Sequence, residues 1–107
     1  MANSQEELNQ IIMSLIMYGG DAKSSSMEAI YAAKKGDFEE ADEKLKHADE
    51  ALNQAHNSQT SLLKQEANGE GVELSLLMVH AQDHLMNAIT FKDLAVEVID
   101  VYKKLIK

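Results

Sequence analysis

No proline interrupts this 107-residue chain, and its five glycines fall at only three places. Proline is the main breaker of helix interiors, so a chain without it can run long uninterrupted helices. Gly36-Asp37 and Asn68-Gly69-Glu70-Gly71 read as punctuation and divide the chain into three segments of similar length. Each segment carries apolar residues at helical spacing. The sequence therefore predicts one all-α domain over residues 1–107, with helices over roughly 5–35, 38–67 and 72–106. Short connections between such helices make an antiparallel up-down-up three-helix bundle.

The first segment places Leu8, Ile11, Ile12, Leu15 and Ile16 on one stripe, which Met13, Met17 and Tyr18 widen. Gly19-Gly20 follows, and the period resumes through Ala22, Ser26, Ile30 and Ala33. The reading is one helix with a weak point at the glycine pair. The alternative is close backbone approach by a neighbouring helix. Gly36 suits the left-handed conformation that ends a helix. Asp37 then suits the N-cap of the next, with Glu40 three residues on as capping-box partner. Phe38, Ala41, Leu45, Ala48, Leu52, Ala55, Gln59 and Leu62 form a heptad-like seam with a charged opposite face. His47, in the charged run, reads as solvated, and His56, beside the seam, as structural.

The third segment is apolar on nearly every side. Leu76, Val79, Asp83 and Met86 make one stripe, and Leu77, Ala81, His84, Ala88 and Phe91 another. A lone three-helix protomer would leave one of these wet, so the third helix is expected to face other subunits as well. With two Phe, three Tyr and no Trp, the core is poor in aromatics, which also favours oligomers.

The net charge of −8 disfavours nucleic acid and anionic lipid as partners. No run is long enough to span a membrane, and Ile11 to Tyr18 follows acidic residues, unlike a signal peptide. The absence of Cys removes disulfides and thiolate chemistry and is compatible with a reducing cytoplasm.

Chemistry concentrates in His80-Ala81-Gln82-Asp83-His84. On a helix His80, Asp83 and His84 stand at i, i+3 and i+4 and share a face. Such a set can bind a metal, or one imidazole can act as a nucleophile that the others orient. An imidazole with an ordinary pKa of about 6.5 is largely neutral near pH 7 and attacks phosphorus or acyl groups well. The bland alternative is a histidine bonded to a carbonyl. Asp83 interrupts an apolar stripe. If several copies met on an axis, two unit charges ~4 Å apart would repel by about 4 kcal/mol at an effective dielectric of about 20. A hard divalent cation or shared protons would remove that cost. The bland alternative is a carboxylate hydrogen-bonded to a neighbour. The spacing also touches the His-x-x-Glu-His pattern of inverted zinc peptidases, with Asp in place of Glu and no evident third ligand.

The segment Val79-His80-Ala81-Gln82-Asp83-His84-Leu85-Met86 resembles the active-site segment of the enzyme IIA component of the lactose/cellobiose (chitobiose) class of the phosphoenolpyruvate-dependent sugar phosphotransferase system. Gly19-Gly20-Asp21-Ala22-Lys23-Ser24, Lys35-Gly36-Asp37-Phe38 and Ala55-His56-Asn57-Ser58-Gln59-Thr60 agree with that family in order and spacing. The resemblance implies a homotrimer of three-helix protomers with the third helix near the axis. It implies that His80 is the phosphorylated residue. It also implies that Asp83 of the three subunits shares a divalent cation, taken here as magnesium. The implied partners are the phosphocarrier HPr, as donor, and a cysteine of enzyme IIB, as acceptor, in cytoplasmic delivery of phosphate to a β-linked disaccharide. The wording of the segment leans toward cellobiose or chitobiose over lactose. Two other readings stand beside this one. A helical protein-binding scaffold is suggested by the tetratricopeptide-like stretch Ala33 to Ala41, though no repeat recurs. A metal-dependent hydrolase would use His80 and His84.

Overall fold

A computed structural model describes residues 5–106 of the chain. Among these residues there are three α-helices and no strand: α1 (Gln5–Lys34), α2 (Phe38–Ala67) and α3 (Leu76–Leu105). They lie alongside one another in a body of 57 × 20 × 19 Å.

Local chemistry sets the helix ends. Gly36 has φ +82°, the left-handed conformation that glycine adopts without steric penalty. The Asp37 carboxylate accepts a hydrogen bond from the Glu40 backbone N–H at 3.1 Å, satisfying a donor that the first turn of α2 leaves open. Gly69 has φ +84° after α2. The start of α3 differs from the sequence expectation. Residues 72–75 are not helical, and Ser75 is the N-cap, its hydroxyl accepting from the Met78 backbone N–H at 3.1 Å. Val72 is apolar because it packs against the core from the connection, not because it belongs to the helix. Leu74, inside the helix range expected from the sequence, is 80% exposed in that connection.

The three helices meet along an alanine-rich seam. Ala22, Ala29 and Ala33 of α1, Ala41, Ala48 and Ala55 of α2, and Ala81, Ala88 and Ala95 of α3 are all buried. Small side chains let the helix backbones come close, and Leu15, Leu85 and Ile99 fill the wider gaps. Buried Ser26 returns its hydroxyl proton to the Ala22 carbonyl at 2.8 Å, so the seam holds no orphaned donor there.

Cross-helix contacts run in opposite sequence order. Ser14 meets Ser58, Asp21 meets His47 and Glu28 meets Lys44 between α1 and α2. Asp42 meets Lys103, Asp49 meets Lys92 and Gln59 meets Gln82 between α2 and α3. The lysine–carboxylate pairs are largely exposed and each contributes at most about 1 kcal/mol. The buried seam therefore dominates the stability, and the ion pairs report register.

α1 runs unbroken through Gly19-Gly20. The single helix is as the sequence predicts, and Gly20, with nothing near it, keeps the entropic cost of a helical glycine. Gly19 is buried against α3, so the close-approach alternative is the one found, at Gly19 alone.

Candidate functional site

Register along α3 splits the His80 segment between two surfaces. Met78, Ala81, Leu85 and Ala88 turn inward and are buried. Val79, His80, Asp83 and Met86 turn outward and are exposed. The buried set pins this part of α3 to α1 and α2, so the outward set is carried on a fixed backbone. The N-cap at Ser75 adds to this, since His80 lies in the second turn after it.

His80 and His84 touch. Their ring centroids are 4.5 Å apart and their planes meet at 75°, an edge-to-face pair. His84 is half-buried where His80 is open. The cause is Gly19. A Cβ there would come within 3.3 Å of the His84 carbonyl carbon and oxygen. The missing side chain lets α1 press against the α3 backbone at this residue. Gly19, Lys23, Asp83, His84 and Asn87 line a niche of about 160 Å³ beside the pair.

Asp83 is exposed in the single chain, flanked by Val79 and Met86, both also exposed. Its carboxylate Oδ1 accepts from Asn87 Nδ2 at 2.9 Å, an i,i+4 bond on the helix surface. Among the described residues, no three His, Asp or Glu side chains of one chain assemble as a metal cage. Asp83 alone supplies two hard oxygens, so it fits a cation such as Mg²⁺ only if further oxygens come from other copies or from water. For the hydrolase reading, His80 and His84 lack a third protein ligand of that kind among the described residues.

Gln82 points away from His80, as the i,i+2 spacing requires. Its Oε1 accepts from Gln59 Nε2 of α2 at 2.8 Å, which ties the site helix to α2. His47 is exposed, as expected, with Nε2 3.0 Å from Asp21 Oδ2. His56, read as structural, is exposed on α2. Of the methionines near the site, Met78 is core and Met86 is surface.

Sequence reasoning brought His80, Asp83 and His84 to one face, and the structure keeps them there. It missed Asn87, although Asp83 and Asn87 stand at the spacing where an amide meets a carboxylate. It also missed Lys23 and the Gln59–Gln82 bond, which depend on how helices distant in sequence pack.

The lactose/cellobiose-specific IIA subunit family of the phosphotransferase system (PTS) matches residues 10–103 of the chain. The lichenan-specific phosphotransferase enzyme IIA component of Bacillus subtilis (strain 168) is 58% identical over 100 residues, covering 94% of this chain and 91% of that protein. The crystal structure of the PTS cellobiose-specific enzyme IIA from Bacillus anthracis superposes with a TM-score of 0.90 at 53% identity, covering 98% and 94% of the two chains. The IIA(chitobiose)–HPr complex of the N,N'-diacetylchitobiose branch of the Escherichia coli phosphotransferase system superposes with a TM-score of 0.80 at 38% identity, over 92% and 95% of the chains. With a matched segment that includes the whole His80 site, the chain belongs to the lactose/cellobiose-specific IIA subunits, phosphate-carrying components of the sugar phosphotransferase system.

Proposed function

We propose that His80 accepts a phosphoryl group from phospho-HPr and passes it to a cysteine of enzyme IIB. The observation that carries this is the exposure of His80 on a helix face held rigid by buried Ala81 and Leu85. Two protein partners must reach one nitrogen in turn, so the acceptor has to sit on open surface. A lone pair of neutral His80 attacks phosphorus, the donor's P–N bond breaks, and its electron pair returns to the donor imidazole. In the second half a IIB thiolate attacks, a P–S bond forms, and the P–N bond to His80 breaks. Catalysis is mostly positioning, because phosphoryl transfer asks little covalent chemistry of the protein. The chitobiose relative's complex with HPr supports the donor. The lichenan, cellobiose and chitobiose specificities of the relatives support a β-linked disaccharide of the cellobiose or chitobiose type over lactose.

The working unit of this proposal is a cytoplasmic homotrimer of up-down-up protomers with α3 near the axis. The opposed order of the cross-helix contacts supports the up-down-up path. Exposed Leu76, Val79, Met86, Leu94 and Val101 on α3, and Met13 and Met17 on α1, support burial against other copies. Asp83 of the three subunits would hold a shared Mg²⁺, whose charge offsets the repulsion among the carboxylates. Among the described residues no helix is long and apolar enough to cross a membrane, so sugar passage falls to another component.

The relay is tested by loading the protein from phosphoenolpyruvate, enzyme I and HPr, then adding enzyme IIB or a IIB without its cysteine. Transfer to the first and not the second is expected. A phosphoryl group that stays on the protein with an active IIB present overturns the reading.

A further inference from the structure

We propose that His80 and His84 together form a binding site for a borderline transition cation such as Zn²⁺ or Ni²⁺, separate from the hard-ion position at Asp83, and that this ion competes with phosphoryl loading. Two histidines at i and i+4 on a helix are the arrangement by which helical zinc motifs offer two imidazoles to one ion. Here the rings already touch, with centroids 4.5 Å apart. Neither ring is hydrogen-bonded to any described residue, whereas His47 is held by Asp21. His80 is open to solvent, so rotation of its ring toward a shared ion meets no packed neighbour. The two protein nitrogens leave two positions of a tetrahedral ion to water.

Ligand chemistry separates this site from Asp83. Imidazole suits Zn, Cu and Ni, and carboxylate suits Mg. One oxygen of the Asp83 carboxylate, Oδ1, accepts a hydrogen bond from Asn87. The chain's charge of −8 raises the local concentration of any cation.

The consequence for loading rests on the acceptor role proposed for His80. Held on the nitrogen that attacks phosphorus, the ion takes that lone pair. Held on the other nitrogen, it withdraws density from the ring and places its hydration shell where a donor protein must dock. Binding forms two N–metal bonds, and a six-coordinate aqua zinc ion that becomes tetrahedral with two waters retained releases the other four, with no redox change.

The test has two arms. In the first, the metal-free full-length protein is titrated with ZnCl₂ by calorimetry, and helicity is checked for each variant. Zinc affinity is expected to fall about 10-fold or more in His80→Ala, His84→Ala and the more conservative His84→Gln. Asp83→Leu, His47→Ala and His56→Ala are expected to bind as the unsubstituted protein does. Unchanged affinity in a folded His84 variant, or loss in Asp83→Leu, overturns the site. In the second arm, loading from preformed phospho-HPr is followed with and without zinc. Zinc is expected to slow loading of the unsubstituted protein and not of His84→Gln. Zinc bound at the pair with loading unslowed overturns the competition while the site stands. Loading at a residue other than His80 removes the acceptor role and leaves the calorimetric result as it was.

Discussion

Gly19 of α1 stands so close to the His84 backbone that a Cβ on it would lie 3.3 Å from the carbonyl carbon and oxygen. Its neighbour Gly20 has nothing within 4 Å of the same position. Two adjacent glycines of one helix therefore carry opposite expectations. Gly20→Ala relieves the entropic penalty of a helical glycine and should stabilise by about 0.5–1 kcal/mol. Gly19→Val drives a branched side chain into backbone and should destabilise by about 1–3 kcal/mol. Denaturant midpoints of the two variants check the pair. Equal shifts would mean that the helices do not approach at Gly19.

Ser75 fixes the first turn of the helix that carries His80. Removing its hydroxyl in Ser75→Ala leaves the Met78 backbone N–H without its 3.1 Å partner. The expected loss is about 0.5–2 kcal/mol, with faster amide exchange confined to the first turn of α3. Exchange raised evenly along the helix would show that the cap does not act locally.

These two regions also show how far the sequence could be read. Gly36-Asp37-x-x-Glu40 announced a helix end and a helix start in side-chain chemistry alone, and both formed. Only the Asp37 half of the expected capping box is made: the Asp37 backbone N–H goes to the Ala32 carbonyl at 3.0 Å rather than to the Glu40 side chain. The start of α3 was less legible. Val72 and Leu74 continue an apolar pattern, and pattern does not distinguish a connection that packs on the core from a helix that does. Ser75, three residues before Met78, was the available signal. At the site, spacing along one helix placed His80, Asp83 and His84 on one face without help from the fold. What spacing could not give was the second helix: which glycine of the pair lets α1 touch α3, that Lys23 joins the niche, and that Gln59 reaches Gln82. Those depend on packing between segments far apart in the chain.

Met86 and Val79 flank Asp83 on the exposed face of α3. If this face is where protomers meet, Met86→Glu adds a charge per subunit to a crowded axis. The expected result is dissociation of the trimer, read as a threefold lower mass by light scattering, with helicity retained. A trimer unchanged in mass would move the interface elsewhere.

If, as proposed, the Asp83 carboxylates of a trimer share Mg²⁺, Asp83→Leu should remove that ion and leave an apolar axis, so a trimer is expected to persist and to lose any magnesium-dependent gain in thermal stability. That gain follows from mass action, since an ion that binds only the folded assembly stabilises it. Loss of the trimer with ion binding unchanged would contradict the role given to Asp83.

The central claim is that His80 carries the phosphoryl group. The most direct measurement is intact-protein mass before and after incubation with phosphoenolpyruvate, enzyme I and HPr, repeated after acid treatment and in His80→Ala. The expected result is a gain of one phosphoryl group per chain that acid removes and that folded His80→Ala does not acquire. A gain that survives in His80→Ala, or none in the unsubstituted protein with active donors, would contradict it.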